Sequence, residues 1–429
     1  MKTISRWSLG IAVLALGAAA VIWALNMRDE TDVRATAAFA PTDSLIARGA
    51  YLARAGNCMG CHTARGGASY AGGLGIPTPF GTVFTSNLTP DANTGIGSWS
   101  PAHFWRAMHN GRSKSGRLLY PAFPYTSYTQ VTREDSDAIF AFLRSQPAVN
   151  QPNQPHALGF PYNSQAALAV WRALYFKPGV YQPNASRDAE WNRGAYLVNG
   201  LGHCSACHSP RDALGGIRQS LALAGGLIPM QNWYAPSLTS AHEAGMGDWD
   251  RQHIVQLLQT GVAPGASVNG PMAEVVLGST QYLTEPDLGA MATYLKALPG
   301  TSPTPEKPVA SGIARSFAST EKNAKLYEQH CAQCHGAQGE GVANAYPPLA
   351  GNRAVTMDTT DNLVQVVLNG GFAPATKGNP RPFGMPPFVL VLDDSEVAGL
   401  ISHIRASWGN QAGAITPLEV NRVRANQAH

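Results

Sequence analysis

Cysteine is missing from this chain of 429 residues everywhere except in one repeated pattern. All six cysteines fall in three copies of Cys-x-x-Cys-His, so none is left for a disulfide framework or a free catalytic thiol. The chain also lacks a glycine-rich dinucleotide fingerprint, and no nucleophile and base stand at a recognisable spacing. Its chemistry is therefore expected to depend on bound cofactors, which the protein spaces and buries.

Charge is scarce and nearly balanced. Only 14% of the residues are charged, and 31 basic against 27 acidic residues give a net charge of +4. That charge is too small to predict nucleic-acid binding. A hydrophobic content of 44% is typical of a globular protein with an ample core. The length is sufficient for two to four domains.

Long apolar runs are also rare, and the one that exists lies near the N-terminus. Lys2 and Arg6 precede an uncharged stretch over residues 7–27. At about 1.5 Å per residue such a helix spans roughly 30 Å, the thickness of a bilayer core. The basic residues ahead of it predict a cytoplasmic N-terminus and export of the remainder to the periplasmic side of the inner membrane. The alternative is a cleaved signal peptide, but Ala38-Phe39-Ala40 is poorly placed as a cleavage site, so we favour the transmembrane anchor.

The three cysteine patterns are the most specific motif in the chain. They are Cys58-Met-Gly-Cys61-His62, Cys204-Ser-Ala-Cys207-His208 and Cys331-Ala-Gln-Cys334-His335. This pattern is typical of c-type haem attachment, in which both thiols bond covalently to the porphyrin and the histidine becomes the proximal iron ligand. A zinc knuckle or a thioredoxin-like pair is the alternative for one copy. Three copies, each with the histidine directly after the second cysteine, favour three covalently bound haem c groups.

Internal repeats accompany the motifs. Residues 48–52 and 193–197 both read Arg-Gly-Ala-Tyr-Leu, and Gly95-Ile-Gly-Ser-Trp99 is echoed by Gly245-Met-Gly-Asp-Trp249. A third, more diverged unit contains the last motif. The chain is thus predicted to be mainly α, with three tandem class I-like cytochrome c domains. The predicted bounds are 7–27 for the transmembrane helix, 42–146, 190–300 and 318–410 for domains 1 to 3, 147–189 for a segment packing on the domains, 301–317 for a linker, and 411–429 for a tail without an assigned role.

Residues that favour helix starts and ends support this order of elements. Ser100 and Pro101 are a suitable N-cap and first residue, and Gly111 suits the position after the helix end. The closing helix of each unit is predicted to begin near Thr132, Thr284 or Asp393, where acidic residues in the first turn complement the helix dipole.

The second axial ligand of each iron is expected from the loop before the closing helix. Met272 and Met385 occupy this loop in units two and three, and we predict both as distal ligands. Unit one has Phe123 there, and phenylalanine cannot ligate iron. His109 and Met108 stand just upstream as alternatives, and an open or water-bound iron is the third possibility.

The sequence resembles a known family over residues 42–410. The resemblance rests on the haem motifs and their spacing, and on the segments Ile76–Gly81, Thr89–Gly97, Tyr120–Tyr125, Glu190–Tyr196 and Trp408–Asn410. It is to the three-haem cytochrome c subunit of membrane-bound bacterial dehydrogenases of the alcohol and gluconate dehydrogenase kind. The phenylalanine at position 123 looks more like the cytochrome partners of molybdenum hydroxylases such as nicotinate or aldehyde dehydrogenases.

The resemblance implies a role in electron transfer. In that family a separate catalytic subunit with pyrroloquinoline quinone, flavin or molybdopterin oxidises the substrate. The cytochrome passes the electrons to ubiquinone or to the terminal respiratory chain, by way of a terminal oxidase or a soluble electron carrier. Two other functions stay open from the sequence: a freestanding periplasmic electron shuttle, and a peroxidase or reductase acting at the first haem.

Overall fold

A computed structural model of the protein describes residues 2–33, 39–300, 321–343 and 345–425. It divides into two compact units. Unit 1 comprises residues 1–183, 198–206 and 212–218, and unit 2 comprises residues 184–197, 207–211 and 219–429. The predicted linker over 301–317 lies outside the described residues.

Unit 1 is mainly helical, as predicted. Its helices are α1 (Lys2–Asn26), α2 (Asp43–Ala55), α3 (Cys58–Cys61), α4 (Pro101–Asn110), α5 (Tyr125–Tyr128), α6 (Arg133–Arg144) and α7 (Gln165–Tyr175). A small antiparallel sheet has the order β1 (Gly75–Thr78), β2 (Gly81–Phe84), β3 (Ala157–Leu158). Because β3 comes from the predicted 147–189 segment, that segment packs back onto unit 1 by extending the sheet.

In unit 1, α2 leads into the first haem motif and crosses α6. A Cβ on Gly49 of α2 would lie 1.8 Å from the carbonyl oxygen of Ala138 on α6, so only glycine permits this close approach. Beside the crossing, Arg48 Nε donates a hydrogen bond to Asp135 Oδ1 at 2.9 Å. The helix that leads into Cys58 is thereby fixed against the closing helix.

Unit 2 holds the whole third motif and, of the second motif, Cys207 and His208. Its helices are the α8 residues up to Leu197 (α8 is Ala189–Asn199), α9 (Arg251–Thr260), α10 (Pro271–Gly278), α11 (Glu285–Lys296), α12 (Glu321–His330), α13 (Ala332–His335), α14 (Arg353–Thr356), α15 (Asp361–Asn369), α16 (Asp394–Ala406) and α17 (Pro417–Ala425). Its strands form antiparallel pairs: β4 (Gly226–Ile228) with β5 (Trp233–Ala235), β6 (Val262–Ala263) with β7 (Ala266–Ser267), and β8 (Gly371–Phe372) with β9 (Gly384–Met385).

The glycine crossing recurs in unit 2. A Cβ on Gly194 of α8 would lie 1.9 Å from the carbonyl oxygen of Ala290 on α11. Arg193 Nη2 donates to Asp287 Oδ2 at 2.7 Å, which repeats the ion pair beside Gly49. At the third motif the glycine is Gly399 on the closing helix α16, where a Cβ would meet the side chain of Asn323 on α12. The sequence repeats therefore correspond to a repeated packing of two helices.

The predicted helix starts are confirmed. Thr132, Thr284 and Asp393 are the N-caps of α6, α11 and α16, and each side chain accepts a backbone N–H from the first turn. Ser100 caps α4, and Gly111 ends it in the left-handed conformation. These signals are local, so the sequence is sufficient to place them.

The C-terminal segment has a structural role that the sequence analysis missed. Val420 and Val423 of α17 are buried in the same core as the third haem motif. Arg424 Nε donates to Asp394 Oδ1 at 2.7 Å, at the start of the closing helix α16. The tail thus completes the core of the third repeat.

The first helix is long and apolar enough to cross a membrane. Residues 7–26 have a mean hydropathy of 2.3, and the most apolar 18-residue window among them has no buried residue. The side chains are exposed from Trp7 to Val21, and burial begins only in the last turn, at Ile22, Leu25 and Asn26.

Candidate haem centres

The first and third motifs are built on a single helical turn. In α3 the His62 N–H donates to the Cys58 carbonyl oxygen at 3.0 Å, and the His335 N–H donates in the same way to Cys331 at 2.9 Å. Residues three and four apart share one side of a helical turn. Two thiols and the following imidazole therefore face the same region, as covalent attachment of a haem with proximal ligation requires. In the second motif Cys204–Ala206 form a 3₁₀ turn.

All three motif histidines make the same side-chain hydrogen bond. Each Nδ1 contacts a backbone carbonyl oxygen: His62 with Ser86 at 2.7 Å, His208 with Pro236 at 2.7 Å, and His335 with Pro347 at 3.0 Å. A carbonyl oxygen only accepts, so Nδ1 carries the proton and Nε2 keeps its lone pair. This is the usual arrangement of a metal-ligating histidine, whose second nitrogen is oriented by a backbone group.

Burial supports the same protonation state. Desolvation lowers the pKa of His62, His208 and His335 below the usual range, although the carbonyl hydrogen bonds act in the opposite direction. The imidazoles are therefore neutral at physiological pH, and neutral imidazole is the form that ligates iron.

A second backbone contact fixes each histidine, and the sequence analysis did not find it. The carbonyl oxygen of each motif histidine accepts a glycine N–H: Gly72 to His62 at 2.8 Å, Gly225 to His208 at 2.9 Å, and Gly341 to His335 at 2.8 Å. All three glycines have positive φ, 73°, 82° and 68°. A Cβ on Gly72 would lie 2.5 Å from the backbone of Ser86, the residue that also holds the imidazole. We call this pair of contacts the histidine clamp. The motif spacing gives no signal for it, because the glycine lies at different distances along the chain.

The motif cysteines are not bonded to one another. None of the six forms a disulfide. Burial, followed by the charge of the neighbouring motif thiol, raises the pKa of Cys58 and of Cys331 to about 12 each. At such a pKa the Cys58 and Cys331 thiols are protonated at physiological pH. Within the described ranges, no group of three or more His, Cys, Asp or Glu side chains is placed to hold a metal ion.

Met385 packs on the core of the third repeat. Met385 lies on β9 opposite Gly371 of β8, and its side chain packs against the buried core that contains Cys331. Met272 is the second residue of α10 and is half-buried in unit 2. Both methionines stay predicted distal ligands, and the position of Met385 supports its assignment.

In the first repeat, aromatic rings occupy the corresponding region. The rings of Phe123 and Tyr128 are 5.3 Å apart. The Tyr128 hydroxyl donates to the carbonyl oxygen of Gly56, two residues before Cys58, at 3.1 Å. Met108 is buried on α4 at 5% exposure. This part of the first repeat is therefore lined by aromatic rings and a buried methionine.

Both ring nitrogens of His109 are engaged by other groups. Nδ1 is 2.9 Å from the carbonyl oxygen of Thr129, and Nε2 is 3.0 Å from Oδ2 of Asp29. The ring also stacks on Trp105 at 4.6 Å. This arrangement leaves neither nitrogen directed at an iron, so it favours the other two alternatives for the first haem.

Asp29 belongs to a segment that ties the end of α1 to unit 1. Asn110 Nδ2 donates to the Asp29 carbonyl oxygen at 2.7 Å, and Glu30 Oε2 lies 2.8 Å from Arg112 Nε. Arg112 Nη2 also donates to the carbonyl oxygen of Asn26 at 2.9 Å. We call residues 27–31 the post-helix segment. It is held by polar contacts to α4 and the residues just after it.

Fold and site together define a c-type cytochrome: short motif turns, neutral clamped histidines and a helix crossing behind each motif. A family model described as cytochrome c matches residues 46–147 and 320–408.

Curated relatives extend over most of the chain. It is 39% identical over 398 residues to the alcohol dehydrogenase (quinone) cytochrome c subunit of Gluconacetobacter polyoxogenes, covering 89% of this chain and 84% of that protein. It is 38% identical to the gluconate 2-dehydrogenase cytochrome c subunit of Pantoea cypripedii, covering 90% and 92%. It is 40% identical to a nicotinate dehydrogenase subunit of Pseudomonas putida, covering 89% of this chain but 32% of that longer protein. The chain belongs to the family of cytochrome c subunits of bacterial dehydrogenases.

Family membership confirms the resemblance seen in the sequence, together with covalent haem c and a role in electron transfer within a dehydrogenase complex.

Proposed function

We propose that the protein carries three haem c groups and transfers electrons from a partner dehydrogenase to ubiquinone or the terminal respiratory chain. The haems would be bound through Cys58 and Cys61, Cys204 and Cys207, and Cys331 and Cys334, with His62, His208 and His335 as proximal ligands. The haem group supplies reversible one-electron chemistry. The chain supplies the attachment thiols, the axial ligands and the burial that tunes each potential.

The observation that carries this proposal is the histidine clamp. Three histidines at separate places in the chain share an Nδ1 contact to a carbonyl and a backbone contact to a glycine with positive φ. A histidine that only filled a core would have no reason to repeat both contacts after every Cys-x-x-Cys pair. Three equivalent haem sites explain the repetition.

We further propose that α1 anchors the chain in the inner membrane with the haem domains on the periplasmic side. Support comes from the apolar window over residues 7–26 and from Lys2 and Arg6 ahead of it. Trp7 and Trp23 are both exposed near the two ends of the window, where tryptophan is enriched at membrane interfaces.

At the first haem we infer that His109 is not the distal ligand. Its imidazole instead joins the post-helix segment to α4 and Thr129. The distal side of this haem then has Met108 as a ligand, or it is open and able to bind water or a small added ligand. Met272 and Met385 are the proposed distal ligands of the other two haems.

The partner is proposed to be a separate catalytic subunit with pyrroloquinoline quinone, flavin or a molybdenum cofactor. The names of the relatives support a dehydrogenase partner, since they belong to quinone alcohol, gluconate and nicotinate dehydrogenases. Substrate oxidation is thus assigned to another polypeptide.

The test is purification of the tagged full-length protein from its native membranes under mild detergent. We expect a stable complex with a large subunit, whose cofactor is identified by extraction and mass spectrometry. Adding the substrate class that this cofactor indicates should reduce the haems, and adding ubiquinone should reoxidise them.

Other outcomes separate the competing functions. A chain that purifies alone, and whose haems no membrane dehydrogenase reduces, would contradict the proposal and favour a freestanding shuttle. Turnover of peroxide by the isolated chain would favour an enzyme acting at the first haem.

A further inference from the structure

We propose that the outer face of α7 is a membrane-docking surface, which rests in the interfacial region of the bilayer beside the anchor. The surface consists of Ala166, Val170 and Leu174, and we call it the α7 stripe. The inference depends on the membrane anchor proposed above, and the experiment below distinguishes the failure of each.

The α7 stripe has the spacing of one helix face. Its three residues are four positions apart, so they lie one above another along the helix. All three are exposed; Val170 is 44% and Leu174 62% accessible. An exposed helix of a water-soluble protein normally turns charged or polar side chains outward, so an apolar outer face indicates a partner.

The charged side chain of α7 is directed into the protein, away from the α7 stripe. Arg172 is the only charged residue of α7, and it is buried at 3% exposure. Its Nε donates to Oδ1 of Asn26 at 2.9 Å. The polar side of α7 is therefore directed at the end of α1, and the apolar side is directed away from the protein.

The contact between α1 and α7 identifies what covers the stripe. Asn26 Nδ2 donates to the carbonyl oxygen of Ala169 at 2.9 Å, so the last residue of α1 packs on the middle of α7. Over residues 7–26 of α1, burial is confined to the end of the helix from Ile22 onward, while Trp23 in that part is 67% exposed. The helix therefore leaves the hydrocarbon region where α7 lies, which places the stripe at the bilayer surface.

The residues around the stripe suit an interfacial position. Lys177, two residues beyond the end of α7, is exposed, and so is Arg28, two residues beyond the end of α1. Helices that lie in a bilayer interface combine an apolar face with basic residues at the level of anionic headgroups. Two attachments, the anchor and the stripe, would hold the first haem domain in one orientation on the membrane.

The experiment uses the full-length holoprotein in vesicles of phosphatidylethanolamine and phosphatidylglycerol. A fraction of the lipid carries a diazirine on the acyl chain near the glycerol, and adducts formed on illumination are mapped by peptide mass spectrometry. We expect adducts on α1 and, severalfold above background, on α7. Vesicles without the diazirine lipid set the background, and Leu418 of α17, which is 77% exposed, provides the position for a matched variant.

A variant isolates the stripe. L174E places a charge at an exposed position and should reduce the α7 adducts severalfold while those on α1 stay unchanged. L418E is the matched control and should change neither.

Adducts on α1 with only background on α7 would overturn the docking surface and leave the anchor intact. Background labelling of both helices would overturn the anchor, and the docking surface with it.

Discussion

The Nε2 atom of His109 lies 3.0 Å from Oδ2 of Asp29, which follows the apolar helix by three residues. A histidine that the sequence offers as an iron ligand is thus hydrogen-bonded to the post-helix segment. The position joins the proposed anchor to the first haem domain instead of completing a haem.

Replacing His109 tests that assignment. In H109A the visible spectrum and the midpoint potential of the first haem should match those of the wild type. The free energy of unfolding should fall by about 1–3 kcal/mol, because the carbonyl of Thr129 loses its partner in a buried site. Spectropotentiometry and thermal melts of the full-length protein provide both readouts. A change of spin state confined to the first haem would restore His109 as its ligand.

The histidine clamp predicts that a residue larger than glycine at position 72 destabilises the protein and disturbs His62. A Cβ in G72A would lie 2.5 Å from the Ser86 backbone, at a φ of 73°. We expect a cost of about 1–3 kcal/mol from overpacking, in addition to the backbone strain of alanine at positive φ. Displacement of Ser86 should also weaken the orientation of His62 and reduce haem attachment at the first site.

Gly66 offers a matched control for this substitution. Its φ is 72°, and no atom lies within 4 Å of the position that a Cβ would take. G66A therefore has the same backbone strain without the collision. Equal haem content and equal stability in G66A and G72A would contradict the clamp.

The distal assignment of Met385 predicts a change at one haem only. In M385A the third haem should lose the methionine sulfur as its distal ligand and become high-spin or water-bound. Its midpoint potential should fall, because methionine ligation raises the potential of a haem. M357A removes a methionine that is 5% exposed in the same unit and should preserve the spectrum. A third haem that stays low-spin with an unchanged potential in M385A would rule this ligand out.

An ion pair in unit 2 predicts a dependence of stability on pH. Arg353 donates a hydrogen bond to Asp248, which lowers the pKa of that carboxyl below its ordinary value of 3.8. A lowered folded-state pKa stabilises the fold above the unfolded-state pKa, and this contribution is lost as the pH falls through the folded value.

The variant D248N isolates that contribution. Asp248 is largely exposed. The free energy of unfolding of the wild type should therefore exceed that of D248N by at most about 1 kcal/mol at neutral pH. The difference in free energy of unfolding should shrink as the pH falls below 3.8. A difference that grows on acidification would have the wrong sign for this pair.

Local signals made much of the fold predictable. Thr132, Thr284 and Asp393 cap helices through bonds to residues three positions ahead, so the sequence alone could locate the closing helices. The motif cysteines and histidines are local in the same sense.

The features that the sequence could not supply depend on distant partners. His109 and Asp29 are separated by 80 residues, and no spacing rule connects them. The role of Gly72 depends on the backbone path near Ser86, and the burial of Val420 depends on a core assembled by other helices. Composition made the tail look merely polar, because only a narrow face of α17 is apolar.

The central claim is that each motif binds a haem covalently, and intact-mass spectrometry of the exported full-length protein tests it most directly. The account predicts a mass increase of three haem groups, and peptide mapping should locate one on each cysteine pair, with no bound zinc. A protein that contains fewer than three haems after full maturation, or that holds zinc at any of the three motifs, would contradict it.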